Sequence, residues 1–459
     1  MKILTIQEII QCVNGKSNIT NGNKILVKGV STDTREDLKG KLYIALEGEN
    51  FDGHDFIKQA ISKGAVAVIC HKSRSEDFEN LIYVDDTKRA LMDIAKYYRS
   101  LFNVKVVGVT GSVGKTTTKD MICAVLSKKY KILKTEKNLN NEIGVSKTIL
   151  NLDETYDVLV IEMGMCNFGE ISELTDVVKP EIGIITNIGV SHLEALGSRE
   201  NIMKAKLEIL EGMKKNSLLV LNKDNDLLQN YVNEDYKIKS VAIKNEFADI
   251  KAENIFCEGL ETVFDIIDGK LRIKAKIPCF GEHNVYNALI AYVVGKKLKI
   301  SSDEIVEGML NFVSSGMRQR LVNFNGAYLI EDCYNASPDS MQAAIKTLSE
   351  MKTAGKKIIV ISDMLELGYI SEEAHYNIGK IISESNIDEL YCFGSLAKEY
   401  VRGAEENGMP KDKIYFFDSK IDLATSLEKA INKNDIAWFK ASRGMKLEKV
   451  IQKIYNKAE

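Results

Sequence analysis

Eight residues, Thr110-Gly111-Ser112-Val113-Gly114-Lys115-Thr116-Thr117, have the types and the order that handle phosphate. Glycines let the backbone approach phosphate oxygens, and amides at a helix start point at the anion. Lys115 is placed for the β- and γ-phosphates of a nucleotide, and the Thr116 hydroxyl for a Mg²⁺ ion. The flanks agree. A run rich in β-branched residues (Val104, Val106, Val107, Val109) precedes the turn, and helix-forming sequence follows from Lys119 to Lys129. The strict G-x-x-x-x-G-K-T spacing is not met, since its first position falls on Val109 and the glycine stands at Gly111. The plain alternative is a glycine turn with a solvated lysine; the flanking strand and helix favour a nucleotide.

Asp157 to Ile161 reads as a second buried strand ending on Glu162, where phosphate-loop ATPases keep their metal-binding acid. A third strand, 181–188, runs into Ser191-His192-Leu193-Glu194, and His192 is there either a hydrogen-bonded structural ring or a metal ligand. Lys204 and Lys206 stand two apart in a predicted helix and so face different ways, at least one of them into solvent. Asn138, Asn140 and Asn141 cluster before a helix, while Asn284 and Asn287 share a helix face, with capping as their ordinary reading. Asn222-Lys223-Asp224-Asn225 departs from the guanine-reading N-K-x-D at its last position, which argues against a GTPase. Upstream, Ser31-Thr32-Asp33-Thr34-Arg35 and Phe51-Asp52-Gly53-His54 either hold a polar ligand or form ordinary turns; composition does not separate the two.

These residues converge only if successive strands deliver their ends to one edge. Strand and helix alternate after residue 100, as in a parallel sheet covered on both faces, and Asp268-Gly269 between two strand-like runs signals a hairpin. A second boundary falls near 313–317, after which strands are expected at 327–332, 357–362, 389–394, 414–417 and 435–440. The reading is an α/β protein of three domains: a small α/β N-terminal domain (1–100), a central P-loop ATPase-type domain with a mostly parallel sheet (101–313), and a C-terminal Rossmann-like open sheet (314–459). The last lacks a G-x-G-x-x-G and is not expected to hold a dinucleotide by itself.

A chain of 459 residues can build three cores, and 45% hydrophobic residues with four prolines suit a well-structured globular protein. A net charge of −3 gives no reason to expect nucleic acid or an anionic membrane surface. Eight scattered cysteines without a C-x-x-C pair suit reduced thiols better than disulfides or zinc. The opening MKILTIQEIIQCVNG reads as an amphipathic helix, not a secretion signal, and no run approaches the ~18 apolar residues of a membrane span. A soluble cytoplasmic monomer is expected.

Taken together, TGSVGKTT, NLNNEIG, IEMG, SHLE, KAKLE, HNVYNAL, the Asp332 loop and SRG resemble, in order, the motifs of the Mur ligases. These are ATP-dependent amide-forming enzymes of peptidoglycan precursor synthesis. Within that family GVSTDTR, GENFDGHDF, DCYNASPDSM, DMLELG and SRGMKLEK imply the reaction that adds D-alanyl-D-alanine to UDP-N-acetylmuramoyl-tripeptide through an acyl phosphate. A related ligase adding one amino acid, or glutamate to a folate, and a nucleotide-switch ATPase are the rival readings. The resemblance implies ATP held by Thr110 to Thr117, by Asn284 and Asn287 at adenine, by Arg318 at the phosphates and by Asp332 at ribose. It implies two Mg²⁺ ions, one on Thr116 and Glu162, the other on His192 and a carbamylated Lys206. Ser31 to Arg35 and Phe51 to His54 would take the UDP sugar, Asn138, Asn140 and Asn141 the tripeptide, and Tyr334, Asn335 and Ser337 the dipeptide. Three departures from the family pattern, Ser362 before Asp363, Ala441 before SRG and Met317-Arg318-Gln319-Arg320, leave Arg318 itself in place.

Overall fold

The computed structural model describes residues 1–48, 51–73, 78–259 and 261–456. Glu49 and Asn50 of the GENFDGHDF stretch lie outside them. The chain is α/β throughout, with three principal sheets. The central sheet has nine strands, in the order Ile132–Lys134, Val158–Glu162, Lys105–Thr110, Ile182–Ile185, Leu218–Asn222, Lys237–Ala242, Ile250–Glu258, Glu261–Asp268 and Leu271–Ile277. The first seven run parallel, and the last two continue from Ile250–Glu258 as an antiparallel meander. Lys105–Thr110 lies between Val158–Glu162 and Ile182–Ile185, with Val109 level with Glu162 and Thr110 with Ile185. The ends of all three strands therefore open on one crevice, the usual ligand edge of such sheets.

The last third forms a six-stranded sheet in the order Arg320–Phe324, Ala327–Asp332, Ile436–Lys440, Lys357–Ser362, Glu389–Phe393 and Ile414–Phe417, antiparallel only at its first edge. The first hundred residues carry a five-stranded sheet, in the order Lys16–Ser17, Leu81–Val84, Ala67–His71, Leu42–Ile44 and Val30–Ser31. At the start of the chain the expected helix is preceded by a two-residue strand, Leu4–Thr5, whose Thr5 caps helix Ile6–Cys12 in a capping box with Glu8. Several strands were not expected from the sequence, among them Ile132–Lys134, Lys237–Ala242, Ile250–Glu258 and Arg320–Phe324. These four lie away from the buried middle of their sheets and interleave charged with apolar residues, so no long apolar run marks them.

Each sheet separates two apolar layers. One of these, on a face of the central sheet, is continuous from Leu4 and Tyr98 through Val106, Ile149 and Leu174 to Leu228, so the first hundred residues and the central sheet share a core. The opposite face packs helix Glu282–Lys297 against the phosphate-loop helix Lys115–Leu126. Two further layers belong to the last third.

Candidate active site

The turn after Lys105–Thr110 is shaped by its two glycines. Gly114 has φ +85° and starts the helix Lys115–Leu126 without a side-chain cap, so its first amides are left free for a ligand. A side chain at Gly111 would collide with the Thr186 hydroxyl. The neighbouring strand end holds the turn from outside: Asn187 Oδ1 accepts from Val113 N–H at 2.9 Å, and the Thr186 hydroxyl donates to the Val113 carbonyl at 2.6 Å. Lys115 curls over the turn and donates to the Gly111 carbonyl at 2.7 Å. Burial pushes its ammonium below the usual lysine range, with the Glu162 carboxylate opposing the shift.

Glu162 is 2% exposed at its strand tip, accepting from Thr116 Oγ1 at 2.7 Å and from Asn140 Nδ2 at 2.8 Å. Its own amide donates to Thr135 Oγ1 at 3.0 Å, fixing the tip. A carboxylate and a hydroxyl beside a phosphate cradle are the hard oxygen donors that Mg²⁺ takes, with phosphate and water completing the shell. Among the described residues no three His, Cys, Asp or Glu side chains gather into a metal cage.

A cavity of about 540 Å³ runs from this turn to the last third of the chain. Its walls include Asn140, Asn141, Glu162, His192, Asn284 and Asn287 on the central side, and Arg318, Asp332, Tyr334, Asn335 and Ser337 opposite. Asn287 accepts from Thr118 Oγ1 at 2.8 Å and donates to Asn284 Oδ1 at 3.1 Å, while Asn284 Nδ2 reaches Gln319 Oε1 at 2.9 Å. Neither asparagine caps the helix, whose N-cap Gly281 has no side-chain cap bond; they link it to the phosphate-loop helix and to Gln319 instead. Arg318 lies flat on Tyr334, its guanidinium carbon 3.5 Å from the ring centre. Ser337 caps helix Pro338–Glu350.

Sequence reasoning passed over two residues here. Lys440, 3% exposed, donates to Asp332 Oδ2 at 2.8 Å and to the Asn335 carbonyl at 3.1 Å, orienting the loop between them. Gln319 joins Asn284 to His283 Nε2 at 2.8 Å. Only a lysine at the end of a buried strand hinted at the first; nothing local marked the second.

His192 borders the cavity in a left-handed conformation (φ +66°) and faces Glu366 of the DMLELG stretch, Nδ1 to Oε2 3.3 Å. Lys206, 1% exposed, does not line the cavity, whereas Lys204 is exposed, as their spacing requires. The Lys206 Nζ has no hydrogen-bond or ion-pair partner among the described residues. Burial drives it well below the lysine range and the Lys115 charge adds to that, which places the two within electrostatic reach.

The remaining candidates stand apart. Asn138, Thr110 and Gly111 are not in the cavity wall, though Gly111 shapes it. In the first hundred residues Ser31 donates to Glu36 Oε2 at 2.9 Å, Thr34 to Gln59 Oε1 at 2.9 Å, and Arg35 pairs with Asp33, holding that carboxyl down at about 2. His54 is 3% exposed: Nε2 accepts from the His71 amide at 2.9 Å, leaving Nδ1–H to donate to Asp52 at 2.5 Å. Gly53 gives its carbonyl to Tyr43, Phe51 is exposed, and Thr32 is half-buried. None of these nine borders the cavity.

Comparison with known proteins bears on the whole chain. Family models described as the Mur ligase middle domain, the Mur ligase glutamate ligase domain and the Mur ligase family catalytic domain match residues 109–295, 317–443 and 26–104. The UDP-N-acetylmuramoyl-tripeptide–D-alanyl-D-alanine ligase of Bacillus subtilis is 38% identical over 98% of this chain and 97% of its own. That of Escherichia coli is 33% identical over 98% of both. Among solved structures, MurF from Acinetobacter baumannii superposes with a TM-score of 0.91 at 28% identity over 99% of both chains. MurF from Thermotoga maritima in complex with ADP reaches 0.85 at 28% identity, over 94% of this chain and 97% of that one. A chain matched from residue 26 to 443 by three models of one family, with its phosphate turn, strand-end acid and third sheet around one cavity, belongs to the Mur ligases.

Proposed function

We propose that this chain joins the terminal carboxylate of UDP-N-acetylmuramoyl-tripeptide to the amino group of D-alanyl-D-alanine, splitting ATP into ADP and phosphate. The observation that carries this reading is the single cavity bounded by a phosphate turn, a buried strand-end carboxylate and Arg318 and Asp332 from the far sheet. The near-complete match to ligases of that name supports the choice of substrates.

A carboxylate and an amine in water form a salt, not an amide, so the acid needs a leaving group. Its oxygen attacks the γ-phosphorus, the bond to the β–γ bridging oxygen breaks, and ADP departs with the electron pair. The amine nitrogen then adds to the carbonyl of the acyl phosphate and loses a proton, and phosphate leaves. Such transfers need positioning and charge neutralisation more than covalent help. Lys115 and the amides of Gly111 to Thr117 would hold the phosphates, with Arg318 closing on them from the other side. Asn284 and Asn287 would face adenine and Asp332 the ribose. Thr116 and Glu162 would hold Mg²⁺, whose charge screens the phosphate oxygens. We assign His192 and Lys206 to a second Mg²⁺. Only a neutral amine adds carbon dioxide, so the depressed Lys206 suits a carbamate there.

In this scheme 1–100 binds the UDP sugar through Ser31 to Arg35 and Phe51 to His54, 101–313 binds ATP, and 314–459 brings the dipeptide through Tyr334, Asn335 and Ser337. Asn138, Asn140 and Asn141 contact the tripeptide. We place the reaction in the cytoplasm, where ATP is held and thiols stay reduced. Among the described residues the cysteines form no disulfide, and no helix is long and apolar enough to cross a membrane. The test is phosphate release over a matrix of UDP-sugar peptides and amine acceptors. Release that requires both the tripeptide and D-alanyl-D-alanine is expected. Release with single amino acids instead would reassign the acceptor, and release with no acceptor would point to a nucleotide switch.

A further inference from the structure

A buried charge cluster on the far side of the phosphate-loop helix takes no part in the scheme above. Asp120 lies in that helix, 4% exposed. Its Oδ1 accepts from Lys134 Nζ at 2.9 Å and stands 3.4 Å from the Nζ of Lys119, itself 1% exposed. Lys119 donates in turn to the Thr135 carbonyl at 2.6 Å. The two lysines account for one carboxylate oxygen. The other, Oδ2, accepts from the hydroxyl of Ser315 at 2.5 Å, 195 residues on.

Ser315 sits in the turn that leads into the last third of the chain. That turn is built around Arg318. The Ser314 hydroxyl donates to the Arg318 carbonyl at 2.6 Å, and the Arg318 guanidinium reaches back to the Ser315 carbonyl at 3.4 Å. Between them Gly316 takes φ +69°, a conformation that glycine adopts without strain. The backbone and the guanidinium of Arg318 are thus both referenced to this turn, and the Asp120–Ser315 bond is what anchors the turn to the helix whose N-terminus forms the phosphate cradle.

We infer that Asp120 and Ser315 are positioning residues of the nucleotide site: the carboxylate fixes, through the serine hydroxyl, where Arg318 stands over the phosphates. This rests on the reading that the cavity holds a nucleotide. A buried carboxylate flanked by two ammonium groups has lone pairs to spare, and the hydroxyl donor turns one of them into a strong charge-assisted bond. Lys119 and Lys134 hold the Asp120 carboxylate in place, so the anchor is stiff on the helix side and hinged on the glycine side.

Removing Asp120 would leave two lysines unpaired and endanger folding, so the decisive variant is Ser315→Ala. Calorimetric titration of the full chain with ADP and with the β,γ-methylene analogue of ATP reads the site without turnover. Ser315→Ala should weaken both by roughly three- to tenfold through loss of orientation, with the ligand-free unfolding temperature lowered by a few degrees at most. Ser315→Thr, which keeps the hydroxyl, should restore binding, and Ser315→Ala added to Arg318→Lys should have no further effect. Unchanged affinity in Ser315→Ala overturns the inference. So does a loss accompanied by a larger fall in unfolding temperature and not restored by threonine, which would make the bond a fold contact only. Failure of the wild-type chain to bind either nucleotide would instead sink the reading of the cavity.

Discussion

The two junctions of this molecule are built from opposite materials. Between the first hundred residues and the central sheet the contact is apolar and continuous: helix Thr87–Ser100 packs on helices Glu142–Leu150 and Glu170–Val178, with Tyr98 fully buried and bonded to the Leu152 carbonyl at 2.7 Å. Its ion pairs, Lys88 with Glu142 and Lys96 with Asp176, lie at the rim. Between the central sheet and the last third the contact is mostly polar, a set of discrete links such as Asp120–Ser315, Asn284–Gln319, His192–Glu366 and Lys346–Glu282, with Phe280 as the main apolar insertion. Apolar surfaces are non-directional and costly to separate, whereas a few hydrogen bonds exchange readily with water. The first junction is therefore the harder to separate, and we expect any opening and closing over ligands at the second. In the proposed scheme, closure there would exclude the water that hydrolyses an acyl phosphate.

This contrast can be tested at several strengths. The largest effect separates chemistry from both junctions: Lys115→Ala should lower turnover by ~10³-fold or more while the unfolding temperature stays put or rises, since a buried ammonium is removed; steady-state rates and calorimetry check this together. Next, Tyr98→Ala cuts the shared core and should destabilise the chain by about 3–5 kcal/mol. In urea the first two sheets should still unfold in one transition; separate midpoints for them would break the comparison. Lys440→Met leaves Asp332 buried and unpaired, for about 3 kcal/mol, and the loss should appear only in a transition assigned to the last third, followed by Trp438 fluorescence. Lys206→Ala should cost most of the activity and regain part of it in short-chain carboxylic acids; no rescue would remove the carbamate from the scheme.

The smallest effect is on pH. Burial holds His283 down at about 4, against a usual 6.5. The unfolded chain then binds the extra proton first, so this group's contribution to stability is full above about 6.5 and is lost as pH falls toward 4. Its Nε2 must stay unprotonated to accept from Gln319, so the loss should show as faster hydrogen exchange at the polar junction and not at the apolar one.

How much of this was legible in the chain followed from sequence distance. The phosphate turn, Glu162 at its strand tip and the Asp268-Gly269 hairpin are local patterns, and each lies where its residues imply. The parallel order of the central strands came from strand–helix alternation. By contrast, Asp332 meets Lys440 across 108 residues and Asp120 meets Ser315 across 195, and no periodicity encodes such pairings. Arg320–Phe324 escaped notice because an edge strand with no fully buried residue has no long apolar run to betray it. His54 carries two contacts that its loop does not announce: Nδ1 lies against Asp52, and Nε2 accepts from the His71 amide.

The shared apolar layer also bears on how the protein is made. Residues 1–100 emerge from the ribosome first, but much of the surface they pack against, from Val145 to Leu228, is not yet synthesised. The nascent N-terminal segment must wait, sticky and incomplete, until about half the chain has been translated, and it is until then a natural client for a chaperone.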